Sequence, residues 1–264
     1  MYDWAEVRPR TDAFWARVQA ALHVEGIEAP ALLSRPDDIA SPWPAPDLVI
    51  GQTFGLPYIS GRCGSAVVIG RPCYGVEGAE GATYRSALIG RADEDGELAA
   101  FRGRHAAINE TGSQSGCNAL AVEILRQKLD PGRGFFSKVT FSGSHRASAG
   151  LVADRKADIA AIDAVAWALF QELEPVRAAR LRVIAWTTAM PSLPFICGTD
   201  HAAHRPALYG ALHQATLDLA PQGASVTPGI PVDVLPADDE DYDPIRKMAS
   251  RIRGLRLAPN MPPL

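Results

Sequence analysis

Two short polar segments of the chain combine serine hydroxyls with glycine, and each stands before a stretch that predicts a helix. The first spans residues 109–116 and the second spans residues 142–148. A helix N-terminus offers unpaired N–H groups and a partial positive charge, and glycine lets an oxyanion approach the backbone. Two such segments facing each other predict a site for a tetrahedral oxyanion, whereas each one singly resembles an ordinary set of helix N-caps. The candidate binding groups are Ser113, Ser115, His145 and Ser148.

The same residue types could also indicate a hydrolase, but their spacing disfavours that interpretation. The stretch from Gly112 to Gly116 has the two glycines of a G-x-S-x-G nucleophile turn. The central position, where that motif requires the nucleophilic serine, is occupied by Gln114. His145 could act as a general base only if it reached a nucleophile in space. The sequence contains no H-E-x-x-H, Walker or G-x-G-x-x-G motif. We therefore predict a protein that is not an enzyme and that uses neither a cofactor nor a metal.

The elements that would position these groups alternate between strand and helix. Short apolar runs predict strands at 105–108, 139–141 and 159–162. A polar loop and a helix follow the first two strands, and a helix follows the third directly. This alternation predicts an α/β fold with parallel sheets, in which ligands bind beyond the carboxyl ends of the strands. Two further polar residues follow predicted strands and join the candidate set, Gln52 and Asp163.

The other predicted elements lie on both sides of this region. Further strands are expected at 47–50, 65–69, 84–89, 181–186 and 194–197, and helices at 11–25, 118–129, 147–154, 163–173, 204–219 and 240–252. Thr11 or Asp12 would cap the first of these helices.

Length and charge limit the classes of function. The chain has 264 residues, which predicts one large domain or two modest ones. It carries 26 Lys and Arg against 30 Asp and Glu, a formal net charge of −4. No basic field is available to hold a nucleic-acid backbone, and no apolar run is long enough to span a membrane. We predict a monomer that binds no nucleic acid and does not insert into a membrane.

The four cysteines and the first residues bear on the cellular compartment. No two cysteines are spaced C-x-x-C, and we expect four reduced, buried thiols, with a Cys63–Cys73 disulfide as the alternative. The first residues have no basic region, apolar region or cleavage site typical of a signal peptide. This predicts a cytoplasmic protein as the sequence is written, unless its true start lies upstream.

Taken together, these segments resemble the phosphate, phosphite and phosphonate-binding proteins of ABC importers, the phosphonate-binding branch of the type II periplasmic binding proteins. The resemblance rests on the order SxSG, GSHxxS and AD-x4-D, which occurs here as NETGSQSG, SGSHRAS and ADIAAID. It extends over roughly residues 1–200 through four further stretches, Met1-Tyr2-Asp3, DLVIGQTFG, Tyr84-Arg85-Ser86 and TTAMPSLP.

The resemblance implies two lobes, each a mostly parallel sheet flanked by helices, joined by a two-strand hinge. The first lobe would comprise residues 1–97 and 199–264, and the second residues 98–198. A small anionic ligand would bind in the cleft between them, and the lobes would close on it. Tyr2 and Tyr84 would contact the ligand from lobe one, and Asp163 would face a hydroxyl or amine on it. The phosphonate group would be held from lobe two by Ser113, Ser115, His145 and Ser148.

The function implied is that of a periplasmic solute-binding protein, which captures a phosphonate, a phosphite or a phosphate ester for an ABC importer and has the permease as its partner. The alternatives are a cytoplasmic ligand-sensing module of the same fold and, as a third class, a small-molecule enzyme. An ionised Asp163 only accepts hydrogen bonds, so it would oppose a fully ionised phosphate and favour a ligand with a proton or ammonium group nearby.

Overall fold

A computed structural model describes residues 2–129, 134–219 and 226–264. The chain forms two compact units. Unit 1 comprises Met1–Thr83 and Pro191–Asp243, and unit 2 comprises Tyr84–Met190 and Pro244–Leu264. These divisions differ from those expected at 97/98 and 198/199. The difference arises because a long strand that starts at Ser86 pairs inside unit 2, and because the last residues pack on unit 2 as well.

The secondary structure alternates between strands and helices over most of the chain. The strands are β1 (Gly51–Gln52), β2 (Val67–Cys73), β3 (Thr83–Tyr84), β4 (Ser86–Arg91), β5 (His105–Ile108), β6 (Lys138–Phe141), β7 (Ile159–Asp163), β8 (Leu181–Trp186), β9 (Met190–Pro191), β10 (Phe195–Cys197) and β11 (Asp233–Pro236). The α-helices are α1 (Arg8–Val24), α2 (Gly55–Ile59), α3 (Ala119–Arg126), α4 (His145–Ala153), α5 (Ala164–Leu173), α6 (Pro175–Ala178), α7 (Arg205–Leu219) and α8 (Asp243–Ile252).

Unit 1 is built on a four-stranded antiparallel sheet in the order β1-β10-β2-β11. The expectation of a mostly parallel sheet in each lobe is therefore wrong for this unit. No strand–helix–strand crossover joins neighbouring strands here, so nothing forces them to run in the same direction. Val18 and Leu22 of α1 pack with Leu208 and Leu212 of α7 in the core beside this sheet. Full burial of each such leucine stabilises the unit by about 1.5–3 kcal/mol.

Unit 2 contains a mixed five-stranded sheet in the order β6-β5-β7-β4-β8. Strand β5 runs parallel to both β6 and β7, whereas β4 runs antiparallel to β7 and β8. Each of the three parallel strands leads into a helix: β5 and β6 lead through loops into α3 and α4, and β7 leads directly into α5. Because parallel strands end at the same edge of a sheet, three helix N-termini lie at one edge of unit 2.

The C-terminal segment of the chain belongs to unit 2. The side chain of Asn260 pairs with the backbone of Val139 on edge strand β6, accepting from its N–H at 2.9 Å and donating to its carbonyl at 2.8 Å. The backbone N–H of Phe136 also donates to the carbonyl of Leu257 at 2.8 Å. The segment thus occupies hydrogen-bonding positions that an edge strand would leave open.

A predicted strand or helix is confirmed where the residues that determine it are close in the sequence, and it is wrong where they include a distant partner. Strands at 105–108 and 181–186 are present as predicted. The strand expected at 47–50 is wrong, because β1 begins only at Gly51, where the partner strand β10 is available. The first helix begins at Arg8, and Thr11 hydrogen bonds Asp3 instead of capping it.

All four cysteines are buried and free, so the disulfide alternative is absent. Within residues 2–129, 134–219 and 226–264, no helix has both the length and the apolar character needed to cross a bilayer.

Candidate functional site

The loop between β5 and α3 is shaped by a serine cap and one close backbone approach. The Oγ of Ser113 accepts a hydrogen bond from the N–H of Gly116 at 3.0 Å, and residues 114–118 form a single π-helical turn before α3. Such turns occur frequently at functional sites. A Cβ atom on Gly116 would lie 1.8 Å from the Oδ1 of Asn109, so only glycine fits at this position.

The loop between β6 and α4 separates two roles for its serines. Ser144 caps α4, since its Oγ accepts from the N–H of Ala147 at 3.1 Å. Ser148 lies one turn into the helix and is fully buried, and its Oγ is 2.7 Å from the Oγ of Ser142. Ser148 is therefore not a helix cap, and its hydroxyl is held by another hydroxyl that can exchange donor and acceptor roles.

The two loops meet through Ser115 and His145. The Oγ of Ser115 is 2.8 Å from the Nε2 of His145, across thirty residues of sequence. Burial disfavours the imidazolium and lowers the pKa of His145 to about 4, although the nearby carbonyl of Ala161 partly offsets this. The Nδ1 of His145 is buried and has no partner of good hydrogen-bond geometry in the described part of the chain. His145 is therefore neutral at pH 7 and supplies no positive charge to the site.

Tyr84, which was expected to contact the ligand from lobe one, belongs instead to unit 2, where it is buried and hydrogen bonds Ser115. Burial raises the pKa of Tyr84, the negative charge of Asp163 raises it further, and a hydrogen bond with Ser115 acts in the opposite direction. Tyr84 is therefore a neutral phenol at any pH at which the protein works. The hydroxyl of Ser115 contacts both Tyr84 and His145. It therefore connects strand β3 with the loops that precede α3 and α4.

Asp163 stands at the end of β7 and caps the helix that follows. Its Oδ1 accepts from the N–H groups of Val165 at 2.9 Å and Ala166 at 3.1 Å, and the residue is only 3% exposed. Ser86 of β4 is its partner in the strand register, and the Oγ of Ser86 is buried without a hydrogen-bond partner among the described residues. A carboxylate that receives two backbone N–H groups needs no cation to be stable in this position.

Arg146, the only arginine in the two serine loops, forms an ion pair with a residue outside them. The Nε of Arg146 donates to a carboxylate oxygen of Glu174 at 2.6 Å. The candidate residues of unit 2 therefore comprise neutral hydroxyls, one neutral imidazole and one carboxylate, with two helix N-termini as the sources of positive potential. Such a set can offer an anion only neutral donors, and the charge of Asp163 would oppose a high negative charge on that anion.

The candidate residues of unit 1 are joined by a tyrosine that the sequence did not single out. The ring of Tyr74 meets the ring of Tyr2 edge-on, with centroids 5.1 Å apart. The Nε2 of Gln52 donates to the hydroxyl of Tyr74 at 2.9 Å and to the carbonyl of Leu193 at 3.2 Å. Tyr2 and Gln52 thus come together around Tyr74, which follows β2 directly and carries no local motif.

The site is poorly suited to hydrolysis or metal binding. The distance between Ser115 and His145 suits a nucleophile and its general base. A histidine with a pKa of about 4 is, however, a weak base, and no carboxylate pairs with its Nδ1 among the described residues. Nor do the described residues contain a group of three or more His, Cys, Asp or Glu that could hold a metal ion.

A sequence comparison identifies the family. The family model described as "ABC transporter, phosphonate, periplasmic substrate-binding protein" matches residues 58–242, which is more than half of the 264 residues. The chain belongs to this family. The members of the phosphonate-binding family are solute-binding proteins, generally without enzymatic activity. The matched range includes all the candidate residues of unit 2, whereas Tyr2 and Gln52 precede it.

Solved structures with a similar fold include other phosphonate-binding proteins. PhnD1 from Prochlorococcus marinus (MIT 9301), in complex with methylphosphonate, is 14% identical, with 92% of this chain and 93% of that chain covered and a TM-score of 0.67. A binding protein component of an ABC phosphonate transporter (PA3383) from Pseudomonas aeruginosa is 16% identical, with 91% and 81% covered and a TM-score of 0.66. XAC2383 from Xanthomonas citri, bound to ATP, is 19% identical, with 90% of each chain covered and a TM-score of 0.64.

At these identities the likeness concerns the fold, which is the α/β fold of type II periplasmic binding proteins. No curated protein matches the chain. The phosphonate-binding family and its fold are therefore established here, whereas the ligand has to be inferred from the residues of the site.

Proposed function

We propose that the protein is a solute-binding protein that captures a small oxyanion, such as a phosphonate, a phosphite or a phosphate ester, for an ABC importer. The single observation that carries this proposal is the 2.8 Å contact between Ser115 and His145. It brings two serine-bearing loops together at the ends of the adjacent parallel strands β5 and β6. Ligands of open α/β sheets bind beyond the carboxyl ends of such strands.

The phosphonate oxygens would be bound by neutral donors. The hydroxyls of Ser115 and Ser148 now bond His145 and Ser142. Ser148 can turn its hydrogen toward a ligand oxygen while it accepts from Ser142, and Ser115 would donate its hydrogen to the ligand in place of its present neighbours. Ser113 would assist by holding the N–H of Gly116 in place. An affinity of about 1 μM corresponds to about −8 kcal/mol. A few charge-assisted hydrogen bonds of about 1.5–3 kcal/mol each suffice for this after ordering costs.

The remaining candidate residues would recognise the rest of the ligand. Asp163 would accept from a hydroxyl, an ammonium group or an acidic proton on the ligand, which selects against sulfate and against the phosphate dianion. We assign Tyr84 to the same ligand because it hydrogen bonds Ser115. Tyr2 and Gln52, which meet at Tyr74, would contact the ligand from unit 1. The permease and a periplasmic location follow from the family and belong to the same proposal.

Isothermal titration calorimetry tests this function. The probes are methylphosphonate, phosphite, phosphate and sulfate, with ATP included because one similar structure is bound to ATP. We expect a phosphonate or phosphite to bind in the micromolar range or more tightly, and sulfate to bind far more weakly. Ser115→Ala and Ser148→Ala should each weaken binding about tenfold or more, since a charge-assisted hydrogen bond is lost.

The control variant is Ser250→Ala, because Ser250 is an exposed serine of α8 whose hydroxyl donates to the carbonyl of Arg246 within the same helix. It should bind like the unmodified protein. Absence of binding by every oxyanion would reject the proposal. So would an unchanged affinity in both Ser115→Ala and Ser148→Ala, because the serine loops would then have no part in binding.

A further inference from the structure

The backbone of Tyr2 adopts a conformation that side-chain-bearing residues rarely take. Its φ angle is +54°, in the left-handed region that glycine favours. Such a conformation persists only where the surrounding structure enforces it, and such residues are concentrated at binding and catalytic sites. Tyr2 is also one of the residues proposed to contact the ligand, so the contacts that enforce its conformation bear on binding.

The residue that follows Tyr2 is held by a network of charges and hydroxyls. The Nε of Arg35 donates to the Oδ2 of Asp3 at 2.6 Å, and the Nη2 of Arg35 donates to the Oδ1 of Asp3 at 3.2 Å. The hydroxyl of Thr11 donates to the same Oδ1 at 2.5 Å. Arg35 also binds Asp12 of α1, at 2.7 Å. Arg35 thus connects Asp3 to helix α1 by a bidentate pair and a second ion pair, a geometry that fixes orientation as well as distance.

The Asp3 carboxylate is ionised in this network at neutral pH. Burial alone would raise the pKa of Asp3, but the hydrogen bonds from Arg35 and Thr11 and the charge of Arg35 outweigh it, and the pKa is lowered. The side chains of Arg35 and Asp3 are only 27% and 21% exposed. Solvent and salt therefore screen this pair less than they screen a fully exposed one.

The side chain of Tyr2 is held from its other side by the aromatic contact with Tyr74. The two rings meet at an interplanar angle of 84°, an edge-to-face arrangement that is favourable for aromatic pairs. Tyr74 is itself almost fully buried, and it accepts a hydrogen bond from Gln52. A continuous line of contacts therefore runs from Arg35 through Asp3, Tyr2 and Tyr74 to Gln52.

We propose that Arg35 is a positioning residue for ligand binding, which acts by anchoring Asp3 and thereby holds Tyr2 in its left-handed conformation against Tyr74. This proposal rests on the proposed function, because it takes Tyr2 to be a ligand contact. Arg35 itself touches no ligand. Loss of Arg35 would leave the fold of unit 1 intact but would free Tyr2 to leave its strained conformation, so that binding would have to restore it.

The test combines a measurement without ligand and one with ligand. Hydrogen–deuterium exchange of the ligand-free protein reports the order of residues 2–12 in Arg35→Ala, Arg35→Lys and a control, Arg17→Ala, which removes an exposed arginine of α1. Calorimetry with methylphosphonate then gives the affinity of each variant, of Tyr2→Ala and of the double variant Tyr2→Ala/Arg35→Ala.

We expect faster exchange of residues 2–12 and a five- to tenfold weaker affinity in Arg35→Ala, a smaller loss in Arg35→Lys and no change in Arg17→Ala. In the Tyr2→Ala background, Arg35→Ala should cause no further loss of affinity, which a general structural defect would not reproduce. The proposal would be overturned if Arg35→Ala reduced the affinity equally in the unmodified protein and in Tyr2→Ala. It would also be overturned if Arg35→Ala left the hydrogen–deuterium exchange of residues 2–12 unchanged, or made it faster without changing the affinity. If the unmodified protein does not bind methylphosphonate, the proposed function fails for this probe, and the exchange data alone decide whether Arg35 anchors the segment.

Discussion

The Oγ of Ser115 lies 2.8 Å from the Nε2 of His145, and this contact connects the loops that precede α3 and α4. The hydroxyl is also hydrogen bonded to Tyr84. A hydroxyl has one hydrogen to donate, so Ser115 can donate to only one neighbour at a time. An incoming anion would therefore compete for that hydrogen with His145 or Tyr84.

His145 should make the stability of the protein depend on pH. Its pKa is lowered from 6.5 to about 4 in the folded state, so the unfolded chain binds a proton more readily between these values. Stability is then complete above about pH 6.5 and falls as the pH drops toward 4. At about 1.4 kcal/mol per pKa unit, the loss amounts to at most about 3.5 kcal/mol.

Urea unfolding between pH 4.5 and 7.5 measures this dependence. His145→Gln keeps an amide near the position of Nε2 but does not titrate, so its stability should vary less with pH than that of the unmodified protein. His23→Gln is the control, since His23 is exposed near the end of α1. Equal pH dependence in all three proteins would contradict the prediction.

Gly116→Ala should disrupt the first serine loop. The new Cβ would lie 1.8 Å from the Oδ1 of Asn109, closer than any real contact, so the loop must move. We expect a loss of about 1–3 kcal/mol in the free energy of unfolding, together with weaker anion binding. Gly112→Ala is a matched control in the same loop, because a Cβ there meets nothing within 4 Å. A Gly116→Ala protein as stable as the Gly112→Ala protein would show that the loop tolerates the side chain.

Two substitutions at Asp163 separate its charge from its role as a helix cap. Asparagine caps a helix about as well as aspartate, so Asp163→Asn should change stability little, whereas Asp163→Ala should cost about 0.5–2 kcal/mol. If the carboxylate recognises the ligand, Asp163→Asn should reduce the preference for aminomethylphosphonate over methylphosphonate about tenfold, which corresponds to about 1.4 kcal/mol. Calorimetry with the two phosphonates gives this ratio. An unchanged ratio would restrict Asp163 to capping α5.

The cysteines should be unreactive until the protein unfolds. Burial raises the pKa of Cys117 to about 12, and burial together with the charge of Asp233 raises the pKa of Cys73 to about 11. Since the thiolate is the reactive form, a disulfide reagent such as DTNB should label the native protein slowly at pH 8. In urea it should titrate four thiols rapidly, in agreement with four free cysteines. A count of two would indicate a disulfide.

Short-range patterns of the sequence predicted the second unit well. The strand at 105–108 and the loops and helices after β5, β6 and β7 depend on the apolar and turn residues within about a dozen positions. Ser115 and His145 were recognisable for the same reason, because each follows a strand and opens a helix. Their mutual contact was not, since it requires β5 and β6 to pair in register, His105 with Lys138.

Features that depend on distant partners could not be predicted. The antiparallel sheet of unit 1 depends on β10, which lies more than a hundred residues after β2. Tyr74 and Arg35 carry no motif, and their importance arises from contacts with Tyr2 and Asp3 near the start of the sequence. Asn109 was part of a quoted motif, but only the three-dimensional approach to Gly116 reveals what it does.

The pairing of Asn260 with Val139 has a consequence for biosynthesis. Unit 1 needs residues up to Asp243, and unit 2 needs residues that are translated later still. Unit 1 therefore cannot be completed before Asp243 has been added to the chain, nor unit 2 before the segment around Asn260, and until then the edge of β6 lacks this partner.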